Sequence, residues 1–140
     1  MSEKRIPKEV YKDCTRLAKS YYDLIEQRRQ IEKEILYGSS GPSDGMPHGS
    51  GAGNPTAMKA EKLIREKEQV DYYLGALQRA YDNLPDEWGM KLIWNNLFRF
   101  PPITLECLQN RYHYPMSLRT MKTIRHDYIV NVARELGKIP

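Results

Sequence analysis

Two stretches of this 140-residue sequence repeat apolar residues at alternating four- and three-residue spacing, and eighteen residues rich in glycine and proline separate them. Positions 10, 14, 17, 21, 24, 28, 31 and 35 read Val, Cys, Leu, Tyr, Leu, Arg, Ile and Ile. Positions 60, 63, 67, 70, 74, 77, 81 and 84 read Ala, Leu, Lys, Val, Leu, Leu, Tyr and Leu. That period is a helix with one apolar stripe, interrupted once on each side by a charge. If the helices fold back antiparallel, facing residue numbers sum to a constant: Val10 with Leu84, Leu17 with Leu77, Leu24 with Val70 and Ile31 with Leu63 each give 94. In that register Arg28 faces Glu66, and the doublets Tyr21-Tyr22 and Tyr72-Tyr73 fall at one height. Each helix would run about 42 Å at 1.5 Å per residue, and the heptad period implies slight left-handed coiling.

The intervening "GSSGPSDGMPHGSGAGNP", residues 38–55, holds six glycines and three prolines, and is most simply the tip of a helical hairpin. A phosphate-cradling loop needs a Lys-Ser or Lys-Thr opening a helix, or a Gly-x-Gly-x-x-Gly turn after a strand, and neither is present. Eighteen residues is more than a turn requires, which leaves a binding role for Met46, Pro47 and His48 open. Asn54 and Pro55 suit the cap and first position of the second helix, and Pro85 marks its end.

Beyond Pro85, "DEWGMKLIWNNLF" suits a short buried helix ended by "FRFPP". Thr104 can cap a helix to about Arg111, "YHYPM" makes a turn, and Ser117 caps a last helix with Gly137 as its stop. The apolar face of that helix is Leu118, Met121, Ile124, Tyr128, Val132 and Leu136. A short helix, a turn and a longer helix make the layout of a helix-turn-helix, whose second helix enters the DNA major groove. The expected fold is therefore all-α: a long antiparallel, coiled-coil-like helical hairpin over residues 8–84, followed by a helix-turn-helix region over residues 85–140.

The formal charge of +4 is local. Residues 1–100 carry sixteen cations against fifteen carboxylates, whereas residues 101–140 carry six against three. Between Glu106 and Asp127 there is no acid, while Arg111, Arg119, Lys122 and Arg125 lie inside that window. At 100° per residue Arg119, Lys122, Thr123 and His126 cluster away from the apolar stripe, near the helix start. Arg can bond guanine bidentately, Thr meets bases or methyls, and Lys neutralises phosphate. Ser117 and Thr120 add hydroxyls beside the positive helix end. A solvated basic face and an ordinary cap are the plainer account of the same residues.

Other classes fit poorly. No apolar run spans a membrane, and "MSEKRIPKEV" lacks the apolar core of a secretory signal, so the chain is expected in the cytoplasm. Cys14 and Cys107 stand far apart with no partner at metal or redox spacing, and Cys107 with His113 lacks a second pair for zinc. No carboxylate pair, Ser-His-Asp set or Cys-His pair suggests catalysis, and neither metal nor cofactor is expected. Trp88, Trp94 and the tyrosines read as packing residues.

The run "RYHYPMSLRTMKTIRHDYIVNVARELG", preceded by "LIWNNLFRFPPI" and by the long hairpin, resembles the phage and prophage transcriptional regulators of the RinA and ArpU type. Those proteins carry a C-terminal segment similar to sigma-factor region four. The resemblance lays residues 116–125 over the start of the recognition helix and gives Ser117, Arg119, Thr120, Lys122 and Thr123 the DNA-facing role. Arg125 and His126 complete the candidate set on the residues' own chemistry. One departure is "YPM" before that helix, where sigma-like segments commonly have a glycine. The resemblance implies activation of late phage genes alongside host RNA polymerase, with double-stranded DNA as partner; because a lone helix with four or so cations binds weakly at physiological salt, a homodimer or other second binding unit is a further expectation. Two alternatives stand beside it: an interaction module working through the hairpin, and the DNA-recognition small subunit of a phage packaging terminase.

Overall fold

A computed structural model describes residues 6–37 and 55–140. Those residues form helices and turns, with no strand among them: α1 (Lys8–Lys19), α2 (Tyr21–Tyr37), α3 (Pro55–Asp82), α4 (Glu87–Ile93), a π turn (Trp94–Phe98), α5 (Leu105–Asn110) and α6 (Leu118–Glu135). Asn54 and the Met46-Pro47-His48 tip lie outside the described residues.

The first heptad stretch is not one straight rod. Helical bonding breaks at Ser20, whose φ and ψ are −94° and 13°. Its amide donates to both Arg16 O and Leu17 O, and its hydroxyl donates to Arg16 O at 2.9 Å. A serine that returns its hydroxyl to the carbonyl four residues back bends a helix, and Thr15 does the same to Tyr11 O at 2.8 Å. The chain therefore presents two segments to different neighbours. α2 packs along α3, while α1 packs on α6 and the π turn.

The α2–α3 pair is antiparallel, but its register differs from the expected one. Arg28 meets Asp71 at 3.3 Å, Lys67 meets Glu32 at 3.7 Å, and Tyr21 OH donates to Gln78 Oε1 at 3.3 Å. Each of those pairs sums to 99, not 94, and Arg28 pairs with Asp71 instead of facing Glu66. A heptad stripe selects the face each helix turns inward but is compatible with more than one slide, and these pairs mark the one the structure adopts. The tyrosine doublets are not opposed either, since Tyr72 OH donates to Leu136 O at 2.7 Å. Tyr21, Leu24 and Ile31 are buried against α3, whereas Ile35, Leu36, Tyr37, Met58 and Ile64 at the outer end are exposed.

The core lies at the other end, where α3, α6 and the π turn converge. Phe98 stacks on Tyr21 with ring centroids 4.3 Å apart and meets Tyr128 edge-on at 6.0 Å. Trp94 stands edge-on to Tyr21, Tyr22 and Tyr81. Such pairs contribute about 0.5–1.5 kcal/mol each beyond the area they bury. Tyr128 is fully buried, and its hydroxyl donates to Leu77 O at 2.9 Å, which satisfies the one polar atom the ring carries inside. Arg79 reaches α6 from α3 through Glu135 at 2.6 Å.

Caps close the short helices much as their sequence suggests. Asp86 accepts from Gly89 N at 2.8 Å and Thr104 accepts from Cys107 N at 3.1 Å. At the end of α6, Gly137 takes φ 72° while its amide donates to Arg134 O and the Lys138 amide to Ala133 O, a Schellman ending.

Candidate nucleic-acid interface

The last helix begins where Ser117 Oγ accepts from Thr120 N at 3.1 Å. Met121 and Tyr128 are fully buried and Leu118 and Ile124 half-buried, so the opposite face of the first three turns looks outward. On that face Ser117, Arg119, Thr120, Lys122 and Thr123 are all exposed. The first turn holds no acid, which leaves the positive helix end uncompensated.

Arg119, Lys122 and Thr123 line one open groove of about 500 Å³ whose other walls are Tyr11 of α1 and Leu105 of α5. Among the described residues neither the Arg119 guanidinium nor the Lys122 ammonium has a hydrogen-bond or ion-pair partner. The hydroxyls are already engaged as donors: Ser117 Oγ donates to Thr120 Oγ1 at 3.1 Å, and Thr123 Oγ1 donates to Arg119 O at 3.1 Å. What those two hydroxyls retain for a ligand is their acceptor lone pairs.

Arg125 and His126 are placed differently from the other five. Arg125 is half-buried, and its Nη1 donates to Asn96 Oδ1 at 3.1 Å. His126 is half-buried and stacks on Tyr11, with centroids 5.5 Å apart and planes 22° from parallel. Both still line the groove, but each also joins α6 to a neighbouring element. Asp127 is the one carboxylate on the groove wall.

Two residues without a charge of their own shape this site, and the sequence pattern does not single them out. Tyr11 closes the groove from α1. Asn96, only 5 % exposed, also donates through Nδ2 to Ile103 O at 2.9 Å, tying α6 to the segment before α5. It reaches both because the π turn, with Arg99 N donating to Trp94 O five residues back at 2.8 Å, widens the helix there.

The connection from α5 to α6 is residues 111–117, longer than the three to four residues usual in a helix-turn-helix. The left-handed residue in it is His113, with φ 55°. Tyr114 is buried next to it, its hydroxyl accepting from Asn95 Nδ2 at 3.0 Å. Trp88 meets Tyr114 edge-on at 5.0 Å and carries Lys91 over its ring at 4.7 Å.

Among the described residues no group of three His, Cys, Asp or Glu could hold a metal, and no helix is long and apolar enough to cross a membrane. Cys14 is buried and Cys107 half-buried, both as free thiols. Comparison with protein-family models, curated proteins and solved structures finds no match to this chain.

Proposed function

We propose that this protein is a sequence-specific, DNA-binding transcriptional regulator of phage or prophage genes that acts with host RNA polymerase. α5, the turn and α6 serve as a variant helix-turn-helix with α6 as the reading helix, and the α2–α3 hairpin serves as a dimerisation or polymerase-contact arm. The observation that carries the reading is the coincidence of Arg119, Lys122 and Thr123, exposed and lining one groove near the capped start of α6. Unpaired cations beside an uncompensated helix N-terminus suit a phosphate backbone, and Arg119 suits a guanine edge.

Selection from a random duplex library at fixed salt tests it. An enriched motif supports the reading, and two-fold symmetry in that motif would add dimeric binding; recovery of unenriched sequence rejects it. Replacing Arg119 and Lys122 with Ala should flatten the salt dependence of binding by roughly one to two units of slope.

A second reading rests on the outer end of the α2–α3 pair, where Leu36 and Tyr37 are about three-quarters exposed. There the protein is an interaction module that captures a partner through the arm. Exchanging residues 39–53 for a short linker would then abolish capture and leave DNA binding unchanged.

A further inference from the structure

We propose that α1 is the second half of the DNA-binding surface, with Lys12, Arg16 and Lys19 gripping the sugar-phosphate backbone beside the face of α6. The inference rests on the DNA-binding reading above and extends it to a helix that reading leaves unused.

Lys8, Lys12, Arg16 and Lys19 recur at four- and three-residue spacing and are all exposed, so they form one stripe along α1. At 100° per residue, Glu9 and Asp13 fall on the side of the helix away from Tyr11, which stacks on His126 of α6, and Arg16 lies next to them. The stripe is continuous with the α6 groove through shared walls. Tyr11 borders both that groove and a second one lined by Lys12, Arg16 and Lys19. Lys19 borders a third, which also holds Lys122 and Arg125.

The joined grooves hold six cations (Lys12, Arg16, Lys19, Arg119, Lys122 and Arg125) and two carboxylates (Glu106 and Asp127). That excess of four equals the formal charge of the whole chain, +4, so everything outside the grooves balances to zero. The grooves therefore carry a net positive charge, and their six cations come from two helices, α1 and α6. A polyanion is the partner that such a surface fits.

The dimensions suit one strand of a duplex. From Lys12 to Lys19 is seven residues, about 10 Å along the helix, which covers on the order of three phosphates at 3.4 Å of rise per strand. Among the described residues the ammonium groups of Lys12 and Lys19 have no hydrogen-bond or ion-pair partner. Arg16 pairs with Asp13 at 3.3 Å, but the two side chains are 75 % and 54 % exposed, and so open a pair exchanges readily for a phosphate.

The test is the salt dependence of binding to a mixed-sequence 30-base-pair duplex. Three proteins are compared with the native chain: Lys12→Ala/Arg16→Ala/Lys19→Ala on α1, Arg119→Ala/Lys122→Ala on α6, and Lys33→Ala/Lys62→Ala/Arg65→Ala on the arm. The α1 triple should flatten the slope by about two to three units and weaken binding on the order of a hundredfold at 100 mM salt, while the arm triple changes neither. All the substituted side chains are exposed, so thermal unfolding should be unchanged. A native slope in the α1 triple with a reduced one in the α6 double overturns this inference and leaves the DNA reading intact. Equal flattening by the arm triple also overturns it, because bulk charge would then be responsible. No duplex binding by the native chain at 50 mM salt overturns both.

Discussion

Asn96 and Arg125 are bonded at 3.1 Å across the boundary between the π turn and α6, and the same amide holds Ile103 O at 2.9 Å. One buried side chain thus sets where α6 lies relative to α5. It also fixes a guanidinium that borders two of the basic grooves.

Asn96→Ala leaves Ile103 O and the half-buried Arg125 guanidinium without their partner. The expected cost is about 1–3 kcal/mol, read as a lower urea midpoint with unchanged slope. Asn96→Leu, which fills the volume but restores neither bond, should be destabilised too.

Register is open to a direct test. A double-mutant cycle on Arg28 and Asp71 should give a coupling of about 0.2–1 kcal/mol, the range for exposed pairs. The cycle on Arg28 and Glu66 should give none. Coupling in the second cycle and not the first would restore the register that sums to 94.

Ser117→Ala removes the cap from α6 and should cost about 1 kcal/mol of stability. Ser117→Asp keeps a capping oxygen, so it should fold as the native chain does. Its negative charge sits beside Arg119 and Lys122, however, and binding to duplex DNA should weaken.

His113 occupies left-handed backbone that glycine adopts without a side-chain penalty. His113→Gly should therefore be as stable as the native chain or more so, by up to about 1 kcal/mol, whereas His113→Val should lose more than that. Thermal unfolding of the two variants side by side reads the difference.

Burial pushes the phenol of Tyr128 above its ordinary value of 10, and Tyr21 and Tyr81 are raised in the same direction by the same cause. A raised folded value means that above pH 10 the unfolded chain gives up protons the folded chain keeps. Stability from these groups is complete below pH 10 and declines as pH rises beyond it. Tyr128→Phe should shallow that alkaline decline. At neutral pH it should cost about 1 kcal/mol, because Leu77 O loses its donor.

What could be read from residues alone divides along physical lines. Caps are local, so Thr104, Ser117 and Gly137 stand where their side chains or backbone freedom require, and Pro55 opens α3. The outward face of α6 follows from its 3.6-residue period. The bend at Ser20 does not, because a single hydroxyl returning to Arg16 O leaves the heptad pattern undisturbed. The register fails for a related reason: periodicity repeats under sliding, and the side-chain fit that separates one slide from the next, marked here by Arg28 with Asp71, is not in the spacing. The π turn has no spacing signature of its own, so Asn96 was invisible as a clamp. His113 filled a position where one would look for glycine. The cations of α1 were legible in principle, but a charge count over the first hundred residues cancels Lys12, Arg16 and Lys19 against the acids of the arm.

α3 runs as one helix from Pro55 to Asp82, from the outer end to the core. Its inner half is bonded to α6 and its C-cap through three pairs: Tyr72 with Leu136, Leu77 with Tyr128, and Arg79 with Glu135. One run of helical bonding thus links the exposed outer end to the seat of the last helix. Whatever grips the arm near Met58 is therefore attached, through one continuous helix, to the helix that carries Arg119 and Lys122.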